Sequence, residues 1–294
     1  MRPNPDTVVQ ATSALSDGEY PFTLADFRQI AAILRADVGI MLTDAKAPLV
    51  YARLVKRLRA LGLENFRSYC ALIATSEGAD ERRRMMTSLT TNVTRFFREP
   101  HHFEHLKTEV LPKLVARAKK GGRVRIWSAG CSSGEEPYSI GLTILSLLPE
   151  AARHDVKILA TDVDPDILDA AREGLYPIAA LDPVSQEDRA RGFQHVVAAS
   201  GRKLWQVAPA LRNLVSFREL NLIGDWPMHG PFDAVFCRNT VIYFDEETQA
   251  EIWRRMPPLM APGATLYIGH SERVLGTESL QNVGLTTYQR VESI

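Results

Sequence analysis

Short apolar runs that alternate with amphipathic stretches dominate the chain after about Gly122. Four of these runs are rich in branched residues, and they lie at 123–128, 156–161, 232–237 and 264–269. Stretches with helical periodicity lie between them, at 136–148, 165–173 and 246–256. Strands that alternate with helices predict an α/β domain whose parallel, doubly wound sheet is covered on both faces.

Residues 22–90 show helical periodicity and no strand pattern. Apolar residues recur with a 3.6-residue period between Thr23 and Val38, and Asp26 follows Thr23 at the spacing of a capping box. Further helices are predicted at 48–61, 65–74 and 81–89, and Gly62 is the natural end of the first of these.

The domain organisation follows from this change of pattern. An all-α N-terminal domain, residues 1–89, is predicted to precede the α/β domain, residues 90–294. The stretch 176–217 interrupts the alternation with the runs LWQV and LVSF, which polar segments separate. We interpret this stretch as a small β-rich unit inserted into the α/β domain.

Charge is divided unevenly between the two parts. Residues 1–125 carry 21 Lys and Arg against 13 Asp and Glu, whereas residues 126–294 carry 14 Lys and Arg against 22 Asp and Glu. The net charges of the two parts, +8 and −8, therefore cancel. The basic first half is the part expected to meet an acidic partner. A merely solvated surface explains the same division equally well.

Composition also excludes several classes of protein. No run of about 18 apolar residues is present, so no membrane-spanning helix is predicted. The first ten residues lack the pattern of a signal peptide, and the three cysteines include no CxxC pair. A cytoplasmic protein with reduced thiols is therefore expected.

A glycine-containing loop follows the first predicted strand of the α/β domain, in the segment SAGCSSGEEP at 128–137. Gly130 and Gly134 allow the backbone to approach a ligand closely. The loop contains no basic residue, and the next helix opens with Glu135 and Glu136. Such a loop disfavours a diphosphate and favours a ligand with amines, hydroxyl groups or a positive centre.

The second predicted strand of the α/β domain ends at Asp162, where doubly wound folds place an acid against ribose hydroxyls. The alternative role for Asp162 is a helix N-cap, but Asp164 before Pro165 is better placed for that. A nucleoside with a cationic tail and without phosphates is S-adenosylmethionine. This cofactor is therefore the one that the loop and Asp162 together predict.

Other polar residues are predicted at the same rim of the sheet. The strand at 232–237 is followed by Arg238, Asn239 and Tyr243, and the pair Asn221 and Leu222 follows another apolar run. Strand ends in this architecture collect the groups that contact ligands. Local backbone capping by Asn239 and core packing by Tyr243 are the alternatives.

The segment 90–103 connects the two domains and is rich in polar side chains. Arg95 and Arg98 flank two phenylalanines, a pattern that fits either a nucleic-acid patch or, by preference, an amphipathic connector. His101 and His105 have the spacing of a helical metal pair, but no further ligand completes a site. No metal is therefore expected.

The predicted helix at 48–61 carries basic residues without acidic ones among them. Arg53, Lys56 and Arg57 lie on one helix face, and Arg59 follows them. Either a docking surface for an acidic partner or a solvated face explains this pattern.

Five ordered motifs resemble the CheR-type chemoreceptor glutamate O-methyltransferases. They are TTNVTRFFREPHHF, WSAGCSSGEEPYSIG, LATDVDPDIL, FDAVFCRNTVIYFD and LYIGHSE, and they extend from the connector to near the C-terminus. The resemblance implies a helical N-terminal domain, a Rossmann-like methyltransferase domain with an inserted β-subdomain, and S-adenosylmethionine as methyl donor. It also implies that glutamate side chains on the cytoplasmic helices of methyl-accepting chemotaxis receptors are the substrate.

The resemblance assigns roles to residues at matching positions. The family's cofactor contacts correspond to Asn92, Thr94, Arg98, Glu136, Asp162, Asn221, Leu222, Arg238 and Asn239. Arg98 and Tyr243 are expected nearest the methyl-transfer centre. Glu136 rather than Glu135 matches the family pattern.

The resemblance also implies two contacts with receptors. The basic helix with Arg53, Lys56, Arg57 and Arg59 corresponds to the surface expected to meet the acidic methylation region. Some members bind a receptor's C-terminal pentapeptide at the segment corresponding to 193–207, where HVVAASGRKLWQV does not match their glycine-rich loop. A monomer without nucleic acid is expected.

Three other functions compete with this interpretation. An amino-directed nucleic-acid methyltransferase carries an Asn/Asp-Pro-Pro-aromatic motif where this chain has RNTV from Arg238 onward. An NAD-type oxidoreductase is disfavoured by the acidic glycine loop. A non-catalytic binding module that retains the cofactor pocket is the third, and detectable turnover distinguishes it from an enzyme.

Overall fold

The computed structural model describes residues 14–16, 19–90 and 92–291. These residues form two compact units. The first contains the described residues before Asn92 together with Tyr243–Asp245, and the second contains Asn92–Ile242 and the described residues from Glu246 onward. Within the described ranges no helix is long and apolar enough to cross a membrane.

The first unit is mainly helical. Its strands are β1 Ala14–Ser16 and β2 Phe22–Thr23, and its helices are α1 Leu24–Val38, α2 Ala47–Leu61, α3 Phe66–Ile73 and α4 Ala79–Leu89. The predicted capping box is confirmed, because Thr23 and Asp26 each accept the backbone N–H of the other. Gly62 ends α2 at φ 67°, as predicted. The β1–β2 ladder was not predicted, because such short strands carry no periodicity.

The segment Tyr243–Asp245 joins this helical unit through two contacts. The Met41 N–H donates to the Tyr243 carbonyl at 2.8 Å, and Arg35 pairs with Asp245 at 2.8 Å. Neither contact is visible in the sequence pattern, since more than 200 positions separate Arg35 from Asp245.

The second unit is an α/β domain. Its strands are β3 Val124–Ala129, β4 Val156–Asp162, β5 Leu175–Pro177, β6 Phe193–Val197, β7 Lys203–Val207, β8 Val215–Glu219, β9 Phe232–Cys237, β10 Met260–Ile268, β11 Leu280–Gly284 and β12 Thr287–Arg290. Its helices are α5 Pro100–His105, α6 Leu111–Lys119, α7 Glu135–Leu147, α8 Pro165–Glu173, α9 Gln186–Gly192, α10 Pro209–Arg212 and α11 Glu246–Arg255.

The large sheet has the strand order β11-β12-β10-β9-β3-β4-β8. The five strands from β10 to β8 pair in parallel, and β12 and β11 add an antiparallel edge. Every residue of β9 is buried, which the continuous apolar run FDAVFC predicts for an interior strand. The predicted doubly wound sheet is confirmed.

A small antiparallel sheet with the order β5-β7-β6 forms the inserted β-rich unit. The run LVSF, however, contributes to β8, whose register places Phe217 opposite Ala160 of β4 in the large sheet. The antiparallel sheet therefore ends before β8, although the predicted stretch 176–217 included this run. A strand signal alone does not reveal which sheet accepts the strand.

The connector after Asn92 contributes to the core of this unit. Phe96 is fully buried, and its ring packs edge-on against Tyr176 and Phe193 at centroid distances of 4.9 and 5.5 Å. Arg95 remains exposed. These contacts agree with the amphipathic connector rather than with a surface on which bases stack.

Candidate active site

The sheet order places a topological switch point at β3. From β3 the chain proceeds outward through β4 to β8, and it then returns to the other side of β3 as β9. In open α/β sheets, ligands bind outside the carboxyl ends of the strands at such a point. The loop after β3 and the turn after β9 therefore border the candidate site.

The loop after β3 lies against both neighbouring strand ends. The N–H groups of Gly130 and Cys131 donate to the Thr161 carbonyl at 2.8 and 2.9 Å. Gly130 has φ 78°, and a Cβ atom there would lie 2.2 Å from the Thr240 hydroxyl oxygen. Glycine is therefore required at this position, because the positive φ and the nearby Thr240 side chain exclude a residue with a Cβ atom.

Asp162, at the end of β4, holds the glycine loop. Its Oδ2 accepts the Ser132 N–H at 2.8 Å, and its Oδ1 accepts the Asp164 N–H at 3.1 Å. Burial raises the pKa of the Asp162 carboxyl, and these backbone hydrogen bonds oppose the increase. Because a carboxylate offers about four acceptor sites, Asp162 retains capacity for ligand hydroxyl groups.

Asp164 is the N-cap of α8, as the sequence favoured. Its Oδ1 accepts the N–H groups of Asp166 and Ile167. Its Oδ2 accepts a hydrogen bond from the Asn92 amide at 3.3 Å, and the Asn92 carbonyl accepts the Ser132 hydroxyl at 3.3 Å. The structure thus brings Asn92 next to the loop that Asp162 holds.

Glu136, near the start of α7, is the carboxylate that joins β3 to the turn after β9. Its Oε1 accepts the Ser128 hydroxyl at 2.7 Å, and its Oε2 accepts Nη1 of Arg238 at 2.9 Å. Glu135 instead accepts the Ser133 hydroxyl at 2.6 Å. Burial raises the pKa of the Glu136 carboxyl, and Arg238 opposes the increase.

Arg238 connects three parts of the site. Its side chain is only 2% exposed, and the guanidinium pairs with Glu136 at 2.9 Å and with Glu99 at 3.1 Å. It also donates to the Arg98 carbonyl. The Arg98 side chain donates in turn to the Val93 carbonyl at 3.0 Å. Arg98 and Arg238, which 140 positions separate in the sequence, therefore meet at this edge of the sheet.

Glu99 is a site residue that sequence reasoning missed. It has φ 56°, a left-handed conformation that is uncommon outside glycine. Burial alone would raise its pKa, but the hydrogen bond from His270 and the charge of Arg238 lower the pKa of Glu99 to about 2. A charged carboxylate therefore lies beside Arg238. Its position directly after Arg98 in the FFRE motif is the signal that could have identified it.

Glu272 is the second residue that sequence reasoning missed. Its buried carboxylate accepts four backbone N–H groups, those of Gly269, Asn239, Thr240 and Val241, at 2.5–2.9 Å. Burial raises the pKa of this carboxyl, and the same four bonds oppose the increase. Glu272 thus fixes the turn that carries Asn239, which is itself at φ 57°.

Asn221 and Leu222 lie beside Asp162 at the carboxyl end of β4, as predicted for residues at this edge of the sheet. The N–H of the preceding Leu220 donates to the Asp162 carbonyl at 2.9 Å. The Asn221 Oδ1 accepts the Ile223 N–H at 3.2 Å, and Leu222 is buried.

The remaining predicted residues are placed less centrally. Thr94 is half-buried in the connector. Tyr243 ends the short helical turn Val241–Tyr243 and groups with the helical unit through its bond from Met41. The role of Tyr243 in the chemistry therefore stays a prediction.

The charges and donors at this edge fit S-adenosylmethionine. Two half-buried carboxylates, Glu136 and Asp162, favour hydroxyl groups and positive centres at this edge, and no lysine or arginine lies between Gly130 and Glu136 in the sequence. A diphosphate would meet repulsion at this loop. This set of acceptors therefore agrees with a cationic nucleoside.

The basic residues of α2 do not form one exposed face. Arg53 donates to the carbonyls of Leu89 and Thr90, both at 2.9 Å, at the end of α4. Arg57 makes a two-point pair with buried Glu81 at 2.9 and 2.6 Å. Among the four predicted residues, Lys56 and Arg59 are exposed, and Arg59 pairs with Glu19.

The roles of Arg57 and Lys56 are separable by substitution. Arg57→Met is expected to lower the free energy of unfolding of the helical unit by about 3 kcal/mol, because Glu81 then remains buried without its cationic partner. Lys56→Met is expected to change it by less than about 0.5 kcal/mol. Urea unfolding followed by far-UV circular dichroism measures both. Equal small losses would contradict a structural role for Arg57.

Two histidines of α5 lie within hydrogen-bond distance of hydroxyl groups. His105 Nδ1 lies 2.9 Å from the Tyr267 hydroxyl, and His102 Nε2 lies 2.9 Å from the Thr286 hydroxyl. In residues 14–16, 19–90 and 92–291, no group of three or more His, Cys, Asp or Glu is arranged to hold a metal ion.

Two family models match the chain over most of its length. The model described as "CheR methyltransferase, SAM binding domain" matches residues 92–289, and the model described as "CheR methyltransferase, all-alpha domain" matches residues 25–90. These matches confirm the resemblance drawn from the five motifs and the predicted fold class.

Curated relatives are similar over nearly their full length. The chain is 54% identical to a probable chemotaxis protein methyltransferase of Rhizobium etli, over 87% of this chain and 96% of that protein. It is 40% identical to chemotaxis protein methyltransferase 2 of Pseudomonas aeruginosa, over 92% and 94%. It is 42% identical to the chemotaxis protein methyltransferase of Escherichia coli, over 84% of each.

Proposed function

The chain belongs to the CheR methyltransferase family, and on this premise we propose that it transfers a methyl group from S-adenosylmethionine to glutamate side chains of chemoreceptors. The products are glutamate methyl esters and S-adenosylhomocysteine. The observation that carries the proposal is the 54% identity to a chemotaxis protein methyltransferase over 87% of this chain. The half-buried carboxylates of Glu136 and Asp162 at the switch point support the same cofactor.

The cofactor is held by side chains at the carboxyl edge of the sheet. These are Asn92, Thr94, Arg98, Glu136, Asp162, Asn221, Leu222, Arg238 and Asn239. Asp162 takes the ribose hydroxyls, and Glu136 faces the positive part of the molecule. When bound, S-adenosylmethionine supplies the methyl group of its sulfonium centre. The rest of the cofactor then leaves as a neutral thioether.

The reaction needs no general base from the protein. The acceptor glutamate has an ordinary pKa of about 4.3 and is ionised at neutral pH. The tasks of the chain are to align carboxylate and methyl group and to exclude water, and good alignment supplies up to about 7–11 kcal/mol. Cys131 and Cys237 do not compete as nucleophiles, because burial raises the pKa of both thiols well above the usual value.

Arg98 and Tyr243 are proposed to orient the two reactants by hydrogen bonds. A strong bond from Arg98 to the acceptor carboxylate would reduce its nucleophilicity. Arg98 is therefore assigned to the cofactor side, in agreement with its carbonyl bond to Arg238. Tyr243 is assigned to the acceptor side.

Receptor docking is proposed to use the exposed part of the basic helix. Lys56 and Arg59 remain available to the acidic methylation region, whereas Arg53 and Arg57 support the helical unit itself. The exposed pair of Arg59 with Glu19 is easily exchanged, since water and salt screen ion pairs at the surface. Action as a monomer and a cytoplasmic location belong to the same proposal.

The first test identifies the acceptor atom. The full chain is incubated with methyl-labelled S-adenosylmethionine and receptor-containing membranes from the same source, and the labelled protein is then treated with alkali. Release of the label as methanol is expected, because carboxyl methyl esters hydrolyse in alkali. A label that resists alkali would place the acceptor on nitrogen, and no label at all would favour a binding module.

Tyr243→Phe tests the assignment of Tyr243 to the chemistry. The change removes one hydroxyl, so kcat is expected to fall by about 10- to 100-fold while the Kd for S-adenosylhomocysteine changes little. Initial rates and calorimetric titration measure the two quantities. A variant that loses cofactor affinity alone would show that the assignment is wrong.

A further inference from the structure

The loop that follows β8 holds a tight turn beside the cofactor edge. The Asn221 carbonyl accepts the Gly224 N–H at 3.1 Å, and the Asn221 side chain accepts the Ile223 N–H. The turn therefore determines where Asn221 and Leu222 lie relative to Asp162. Both of these hydrogen bonds lie within residues 221–224. The far end of the loop, at residues 222–226, must therefore be held by other elements.

Arg255, the last residue of α11, holds that far end at three points. Its Nη1 donates to the Leu222 carbonyl at 3.2 Å, and its Nη2 donates to the Gly224 carbonyl at 2.6 Å. Its guanidinium carbon lies 4.1 Å from the centroid of the Trp226 ring. A planar fork that binds two carbonyls and stacks on an aromatic ring is available to arginine and not to lysine.

Trp226 connects the same loop to the centre of the sheet. Its Nε1 donates to the Leu222 carbonyl at 3.1 Å, and its ring packs edge-on against Trp127 of β3 at 5.2 Å. The Trp127 Nε1 donates in turn to the Thr161 hydroxyl of β4 at 2.9 Å. The loop is thus tied to both strands that carry the glycine loop and Asp162.

From this arrangement we propose that Arg255 is a positioning residue for cofactor binding. It holds the 221–226 loop so that Asn221 and Leu222 present their contacts to the nucleoside, and it does not itself touch the cofactor. This inference rests on the proposed function, because that proposal assigns Asn221 and Leu222 to the cofactor. Arg254, its neighbour, is exposed and pairs along the helix with Glu251 at 2.8 Å.

The test compares Arg255→Met and Arg255→Lys with the matched control Arg254→Met in the full chain. Calorimetry with S-adenosylhomocysteine gives the Kd, and initial rates give kcat and KM for S-adenosylmethionine. We expect Arg255→Met to raise both Kd and KM by about tenfold or more, since a charge-assisted hydrogen bond contributes about that factor. The kcat at saturating cofactor is expected to change by less than about twofold.

Tryptophan fluorescence provides a readout that general destabilisation does not supply. The emission that Trp226 contributes, obtained by difference from Trp226→Phe, is expected to shift in Arg255→Met and to remain unchanged in Arg254→Met. Arg255→Lys keeps the charge without the fork, and we expect a Kd between those of the wild type and Arg255→Met.

The outcomes separate this inference from the proposed function. A folded Arg255→Met variant with the wild-type Kd would overturn the positioning role alone. An equal loss in Arg254→Met would also overturn it, because the effect would then come from the surface of α11. A wild-type chain that binds no S-adenosylhomocysteine would overturn the proposed function and this inference with it.

Discussion

Replacing Arg238 with methionine is expected to lower the free energy of unfolding of the α/β unit by about 3–5 kcal/mol, the usual cost of removing one partner of a buried ion pair. The Arg238 side chain is 2% exposed, and it separates the carboxylates of Glu99 and Glu136, which are 13% and 11% exposed. Without the guanidinium, both carboxylates must take up protons or move toward water. The Arg98 carbonyl also loses its donor.

Arg238→Met is also expected to abolish cofactor binding. The four tryptophans of the chain all lie after residue 92, so their fluorescence in a urea titration reports the unfolding of the α/β unit. Calorimetry with S-adenosylhomocysteine reports binding. Arg273→Met, at an exposed position, is the matched control and is expected to leave both measurements unchanged. Wild-type stability in Arg238→Met would show that the two carboxylates do not need the guanidinium.

Replacing Glu272 with leucine is expected to have the second large effect. The four N–H groups that its carboxylate accepts would lose their acceptor, and each unsatisfied buried donor costs about 1–3 kcal/mol. We expect the free energy of unfolding to fall by about 4 kcal/mol or more. Because the turn with Arg238 and Asn239 would shift, methyl transfer is expected to fall on the order of 100-fold.

Glu272→Gln provides a graded comparison. One of its two terminal atoms remains an acceptor and can serve two of the four donors, so about half of the stability loss is expected. Glu278→Leu, on an exposed side chain of the following loop, is the control. If Glu272→Leu and Glu278→Leu unfold at the same urea concentration, the role of Glu272 in fixing the turn is wrong.

The sequence predicted those parts of the fold that depend on near neighbours. The capping box of Thr23, the helix end at Gly62 and the N-cap at Asp164 each involve residues within five positions of one another. The parallel sheet was predicted because buried strands are continuous apolar runs. The sequence did not predict to which sheet the LVSF run belongs, because the residues of a strand do not show which strand it pairs with.

The sequence predicted the chemistry of the candidate site more fully than the contacts between its residues. The acidic glycine loop and Asp162 indicated a cationic nucleoside before any geometry was available. Glu99 and Glu272 were not identified, although both lie within the five motifs, because a glutamate in a polar segment gives no sign that its carboxylate is occupied inside the protein. The face of α2 was predicted as one basic surface, although Arg53 and Arg57 are occupied inside the helical unit.

The sequence by itself therefore determined the helices between residues 24 and 89 and the apolar strands of the parallel sheet, and it indicated the class of ligand. These follow from periodicity, capping and charge type, which act over a few residues. Only the tertiary structure decided the partners of Arg57, Arg238 and Glu272. Those contacts join residues separated by 24 positions for Arg57 with Glu81 and by 140 for Arg238 with Arg98, and a buried charge takes its partner from whichever element packs against it.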